Sequence, residues 1–193
     1  MQNKKVETFC PGNREEWRQW LNENHNSSHS VWLVQYKQKS ARPSLSWSDS
    51  VDEALCFGWI DSTRKTIDEE SFMQFFCKRK PTSNWSKINK AKVQRLIAEG
   101  LMTEAGFKCI EVAKKNGSWS ILDDVEELII PSDLGKAFQS QPGSAAYFSS
   151  LSKSVKKMIL QWLVLAKRPE TRQKRITEIA ELAAQKLKPK QFR

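Results

Sequence analysis

The chain has 193 residues, enough for one medium domain or a small domain with a helical appendix. Its 32 Lys and Arg outnumber 22 Asp and Glu, giving a formal charge of +10, and eight Trp in a 39% hydrophobic composition exclude a disordered chain. No apolar run approaches the roughly 20 residues of a membrane helix, and the opening MQNKKVETFCPGNREEW lacks the apolar core of a secretory signal. The chain therefore reads as a cytoplasmic protein without membrane insertion.

The first helix is predicted from Arg14 to Asn24, capped by Asn13, with Glu15 and Glu16 at its positive end. Trp17, Trp20 and Leu21 fall at i, i+3, i+4 and form its buried face. Val31 to Gln38 is a strand: Trp32, Val34 and Tyr36 share one side, Val31 and Leu33 the other. Arg42-Pro43 marks a loop. A helix then begins at Ser48 and ends before Gly58. WIDSTRKTID and SFMQFFCKRK form a hairpin across the turn DEES. After Pro81, Ser83 or Asn84 caps a helix running to Glu99, and Thr103 caps the next, which stops before Gly117. Pro131-Ser132 starts a short helix, which Pro142-Gly143 breaks. Ser152 opens a helix with Val155, Ile159, Trp162, Leu163 and Ala166 on its core side. Pro169 fits the first turn of a last helix, which buries Ile176, Ile179, Ala180, Ala183 and Leu187. The tail KLKPKQFR reads as frayed.

Clustered strands with short connections give an α+β class: a small antiparallel sheet with packed helices over residues 1–120, then a helical segment over 121–193. Cys10, Cys56, Cys77 and Cys109 stand apart with no Cys-x-x-Cys pair and read as reduced core thiols. His25 and His29 have no third ligand nearby, so neither a metal nor another cofactor is implied. Without a Gly-x-Ser-x-Gly elbow, a Walker loop or GxGxxG, nucleophilic-triad, phosphate-transfer and dinucleotide chemistry find no support, which leaves the carboxylates Asp52, Glu53 and Asp61 as the candidates for acid–base work. Asp52 and Glu53 read as helix-surface charges and Asp61 as a strand-end charge.

The clustering of charge is more informative. Phe72 to Ala98 holds seven basic residues and no acid, and Lys153 to Arg193 holds twelve basic residues against three acids. Crowded like charges repel unless they face water or an anion. Arg168, Arg172 and Arg175 follow i, i+4, i+7 near a helix start, where cations oppose the dipole and an anion is favoured. The same arginines are equally well accommodated in solvent or by the acidic stretch Asp123 to Glu127. Trp85 is either an exposed base-stacking platform or a core anchor.

Three runs, VDEALCFGWIDS, FFCKRKPTSNWSKINKAKVQRLIAEGLMTEAG and LAKRPETRQKRITEIAELA, resemble the YdeI/OmpD-associated, or bacteriocin-protection, family. The resemblance implies a YjbR/CyaY-like fold for the first part, an OmpD-associated helical segment for the last, and a role in envelope stress or bacteriocin tolerance. It transfers no catalytic residue. The expected activity is binding of an anionic ligand, nucleic acid or an acidic protein, with Lys78, Lys80, Arg168, Arg172 and Arg175 as anion contacts. One alternative is a small-molecule enzyme or sensor with its pocket between the GWID and SNWSKIN motifs, holding Asp61, Arg79, Trp85, Lys87 and Asn89. Another is a protein–protein adaptor built on an apolar patch around Trp162.

Overall fold

The computed structural model describes residues 6–42 and 45–192; the loop proline at 43 lies outside them. The chain divides into two compact units, Met1–Trp119 and Ser120–Arg193.

Unit 1 is α+β. Its strands are β1 (Thr8–Phe9), β2 (Ser30–Tyr36), β3 (Trp59–Thr66) and β4 (Ser71–Lys78), and its helices are α1 (Arg14–Asn24), α2 (Trp47–Cys56), α3 (Lys87–Ala98) and α4 (Glu104–Lys115). The sheet order is β1-β2-β4-β3. β2 pairs antiparallel with β4 from Ser30↔Cys77 to Tyr36↔Ser71, and β3 pairs antiparallel with β4 from Trp59↔Lys78 to Thr66↔Phe72. The two-residue β1 runs parallel to β2, so the sheet is mixed rather than wholly antiparallel. Two residues are too few to show a period, which is why the sequence did not reveal β1. Val31 and Leu33 on β2 and Phe72 and Phe76 on β4 are buried, and Trp17 packs on Phe76 at 5.4 Å and on Trp20 at 5.2 Å.

Two helix starts differ from the sequence reading. α2 begins at Trp47, because the Ser46 side chain accepts from Asp49 N. α3 begins at Lys87, because the Ser86 side chain accepts from Asn89 N. Ser83 and Asn84 lie in the turn before it, where the Asn84 carbonyl serves another partner described below.

Asp52 and Glu53, expected as surface charges, are buried at 3% and 1% exposure. Successive helix residues point about 100° apart, so the two carboxylates reach different neighbours. Glu53 accepts from Arg14 Nε at 2.5 Å and Arg18 Nη1 at 2.6 Å, which draws in α1. Asp52 accepts from Lys92 Nζ at 2.6 Å and from Arg95 Nη2, which draws in α3. Buried charge is tolerated only when paired and hydrogen-bonded, and these four cations meet that condition.

The C-terminus of α2 carries α4. Thr103 caps α4, and its hydroxyl donates to Cys56 O at 2.6 Å. At Gly106 the helices are so close that an added Cβ would overlap the Cys56 carbonyl oxygen.

Unit 2 is helical: α5 (Asp123–Glu126), α6 (Ser132–Gln139), α7 (Ser144–Ser150), α8 (Lys153–Val164) and α9 (Pro169–Ala184). Leu134, Phe138, Phe148, Ile159, Leu160, Leu163, Ile176, Ile179, Ala180 and Ala183 form its core. Leu187 is exposed, because α9 ends at Ala184 and Lys186 turns left-handed at φ 57°. The tail is not frayed through residue 192. Lys190–Phe192 make a 3-10 turn, and the Phe192 ring meets Trp162 edge-on at 5.8 Å.

Gly106→Ala should destabilise unit 1 by about 1–3 kcal/mol, the usual cost of overpacking. Chemical denaturation followed by tryptophan fluorescence measures it, and an unchanged midpoint refutes the close approach.

Candidate functional site

Helix α2 must end and reverse into β3 within two residues, and Gly58 makes that turn at φ +71°. A Cβ at Gly58 would lie 3.1 Å from Ala105 O and 3.2 Å from Cys109 Cβ, so α4 closes over the turn. The Gly58 carbonyl accepts from Arg79 N at 2.9 Å. This contact pins Arg79 immediately beyond the end of β4.

The Arg79 guanidinium lies 3.8 Å above the Trp85 ring, and Nη2 donates to Asn84 O. The residue is 9% exposed and Trp85 is 1% exposed. Arg79 Nε and Nη1 are buried and have no acceptor among the described residues; neither have Trp59 Nε1 and Trp85 Nε1. Burial pushes the Arg79 pKa down to about 10, while the fields of Cys109, Asp61 and Cys77 act the other way. Arg79 is therefore still a cation at neutral pH, held out of water without an ion-pair partner among the described residues.

A cleft of about 240 Å³ opens beside it. Phe57, Trp59, Pro81, Ala105 and Val112 supply apolar wall, and Arg79, Lys78, Lys108 and His25 supply its basic groups. Asn26, Gly58 and Cys109 complete the lining, which includes no carboxylate among the described residues. Lys78 Nζ donates to Asn26 O at 2.7 Å. His25 Nδ1 lies 2.9 Å from Leu21 O; a carbonyl only accepts, so Nδ1 carries the proton. A second lobe of about 390 Å³ shares His25, Asn26, Phe57, Ala105 and Lys108 and adds Asn22, Thr103 and Glu104. Burial raises the Cys109 pKa despite Arg79, so Cys109 is a neutral thiol rather than an activated nucleophile.

The expected site residues separate. Arg79 and Lys78 line the cleft and Trp85 lies beneath Arg79. As a buried ring, Trp85 is the core anchor and not a base-stacking platform. Asp61 accepts from Trp47 Nε1 at 3.0 Å and Gln74 Nε2 at 3.3 Å and does not line the cleft. Nor do Lys80, Lys87 or Asn89. Lys80 and Lys87 are exposed, and Lys87 and Asn89 occupy the first turn of α3. The sequence reading put its alternative pocket at the GWID run, whose Gly58 and Trp59 line this cleft, but missed His25, Phe57, Lys108 and Cys109; the Cys-Phe-Gly-Trp run with its obligatory glycine was their nearest signal.

In unit 2, Arg172 donates to both Asp133 oxygens at 2.7 and 3.0 Å. Arg175 lies 4.6 Å over Trp162 and donates to Trp162 O. Arg168 is exposed at the N-cap of α9. The three arginines therefore do not act as one free face. The acidic stretch at Asp123 to Glu127 instead receives Lys157, at Glu126. Trp162 is half-buried, with the Arg175 guanidinium over its ring and Phe192 against it edge-on. A broader depression of about 1010 Å³ along α9 is open, lined mainly by exposed side chains of both signs, and holds none of the unpartnered buried polar atoms.

A mixed sheet backed by helices, with a buried cation beside an apolar cleft, defines unit 1 as an α+β module with a basic pocket. Residues 9–109, more than half of the chain, match the family described as Domain of unknown function (DUF8412), and the chain belongs to that family. Residues 127–186 match the family described as Bacteriocin-protection, YdeI or OmpD-Associated, so unit 2 carries a YdeI/OmpD-associated domain. The YjbR/CyaY-like assignment expected for the first part is not supported; the DUF8412 match stands there instead. No curated protein and no solved structure gives a significant match.

The hydrogen bonds from Arg172 hold the Asp133 carboxyl below its ordinary value of 3.8. A depressed folded pKa adds stability that is complete above the unfolded value and lost as pH falls through the folded one. Asp133→Asn should therefore weaken unit 2 near neutral pH and flatten the loss of its stability below about pH 5. Acid unfolding read from α6 and α9 amide resonances tests this; an unchanged acid limb counts against the pair.

Proposed function

We propose that the chain is a binding protein that takes an anion into the Arg79 cleft. One observation carries the reading: a buried guanidinium with two unpartnered nitrogens, Nε and Nη1, and no carboxylate partner among the described residues. An unpaired buried ion costs several kcal/mol, of which stacking on Trp85 offsets about 2. An anionic ligand removes the remaining penalty, and Lys78 and Lys108 favour its approach. A cytoplasmic setting is supported by four free cysteines. A role in bacteriocin tolerance is supported by the family description alone.

Added sodium phosphate or sulfate, at ionic strength held constant with chloride, should raise the unfolding midpoint. At a hundred times the dissociation constant the gain is about 2.7 kcal/mol. Arg79→Met should abolish that rise and leave the anion-free midpoint equal to or above that of the parent, because it deletes a desolvated charge. A variant that still responds to the anions refutes the reading.

A further inference from the structure

We infer that the anion taken at Arg79 is a carboxylate on a compact apolar body, an organic acid or the apolar last residue of a peptide, rather than a bare inorganic ion. This rests on the anion reading above and narrows it. Three features of the cleft point the same way.

The first is charge. One buried cation, Arg79, stands among the lining residues, while Lys108 is exposed and Lys78 already donates to Asn26 O. A single buried positive charge balances a monoanion; a phosphate carrying two negative charges would bring one more into low dielectric than Arg79 neutralises.

The second is hydrogen-bond polarity. The unpartnered buried atoms of the lining residues, Arg79 Nε and Nη1 and Trp59 Nε1, are all donors. An ionised carboxylate only accepts, with two oxygens and about four lone pairs. A ligand hydroxyl would find no unpartnered buried acceptor among those residues.

The third is the wall. Phe57 and Trp59 are almost wholly buried yet line the space, with Pro81, Ala105 and Val112 beside them. The cleft of about 240 Å³ is several times the roughly 30 Å³ share of one water. A bare anion would leave that wall wet, whereas an apolar body covers it. The second lobe, with Asn22 and Asn26, offers amide groups along which a peptide backbone would leave, and its carboxylate, Glu104, is exposed.

The test is calorimetric titration of the full chain near neutral pH with five probes: sodium phosphate, 3-phenylpropionate, 3-phenylpropionamide, and a tetrapeptide ending in phenylalanine with a free or an amidated C-terminus. The acids should bind at least about tenfold tighter than phosphate, and each amide at least about tenfold weaker than its acid. A tighter peptide acid identifies a chain terminus as the source, and a tighter phenylpropionate identifies a free organic acid. Phosphate binding as tightly as the acids overturns this inference and leaves the anion reading standing. Amides binding as tightly as acids, or no probe binding at all, overturns both. Val112→Gln, at the 36% exposed lip of the cleft, should weaken the acids at least threefold and leave phosphate unchanged. Equal weakening of both probes counts against the apolar wall.

Discussion

Asp52 and Glu53 follow one another on α2, and both are buried with two cations apiece. Taking two carboxylates out of water is costly, so α1 and α3 must each deliver their cations for unit 1 to close. The arrangement fixes α2 as the central helix of the unit and sets which faces α1 and α3 turn inward. It also fixes where α2 stops. Cys56 O receives Thr103, Gly58 reverses the chain, and Arg79 is pinned to the Gly58 carbonyl. The cleft is thus a consequence of how a charged helix is buried.

Within this unit the contrast between buried charges is informative. Asp52 and Glu53 receive full compensation, from residues as distant in sequence as Arg14 and Arg95. Arg79 receives an aromatic face and one carbonyl. Asp61 is held by Trp47 and Gln74 rather than by Arg79. A chain that pairs two buried carboxylates so completely leaves its buried guanidinium without a carboxylate partner among the described residues, beside a cavity, and that difference gives the cleft its functional reading.

Most helices were legible in the sequence, because caps and apolar spacing act within a few residues. Asn13, Thr103 and Ser152 each cap as their chemistry dictates. Ser83 and Asn84 have equally good capping chemistry, yet Asn84 O is bound to Arg79 and the start passes to Ser86. That competition is tertiary, and no local pattern reports it. Charge was legible as density but not as destination. Lys92 and Arg95 belong to Asp52, Arg172 to Asp133, and Lys90 lies 5.2 Å over Trp119. The candidate site shows the same division. Arg79, Lys78 and Trp85 came from the basic run, whereas His25 and Lys108 reach the cleft from α1's end and α4, far away in sequence.

The group beneath Arg79 is the aromatic ring of Trp85 rather than a carboxylate. A guanidinium beside a carboxylate would be fully neutralised and would have no further affinity for an anion. An aromatic face supports the planar cation from one side and leaves its edge N–H groups without acceptors. Trp119 backs the Trp85 ring at 4.9 Å, so the platform is itself held in place. Stacking therefore offsets part of the cost of keeping Arg79 inside while preserving its capacity to bind, which a salt bridge at the same position would reduce.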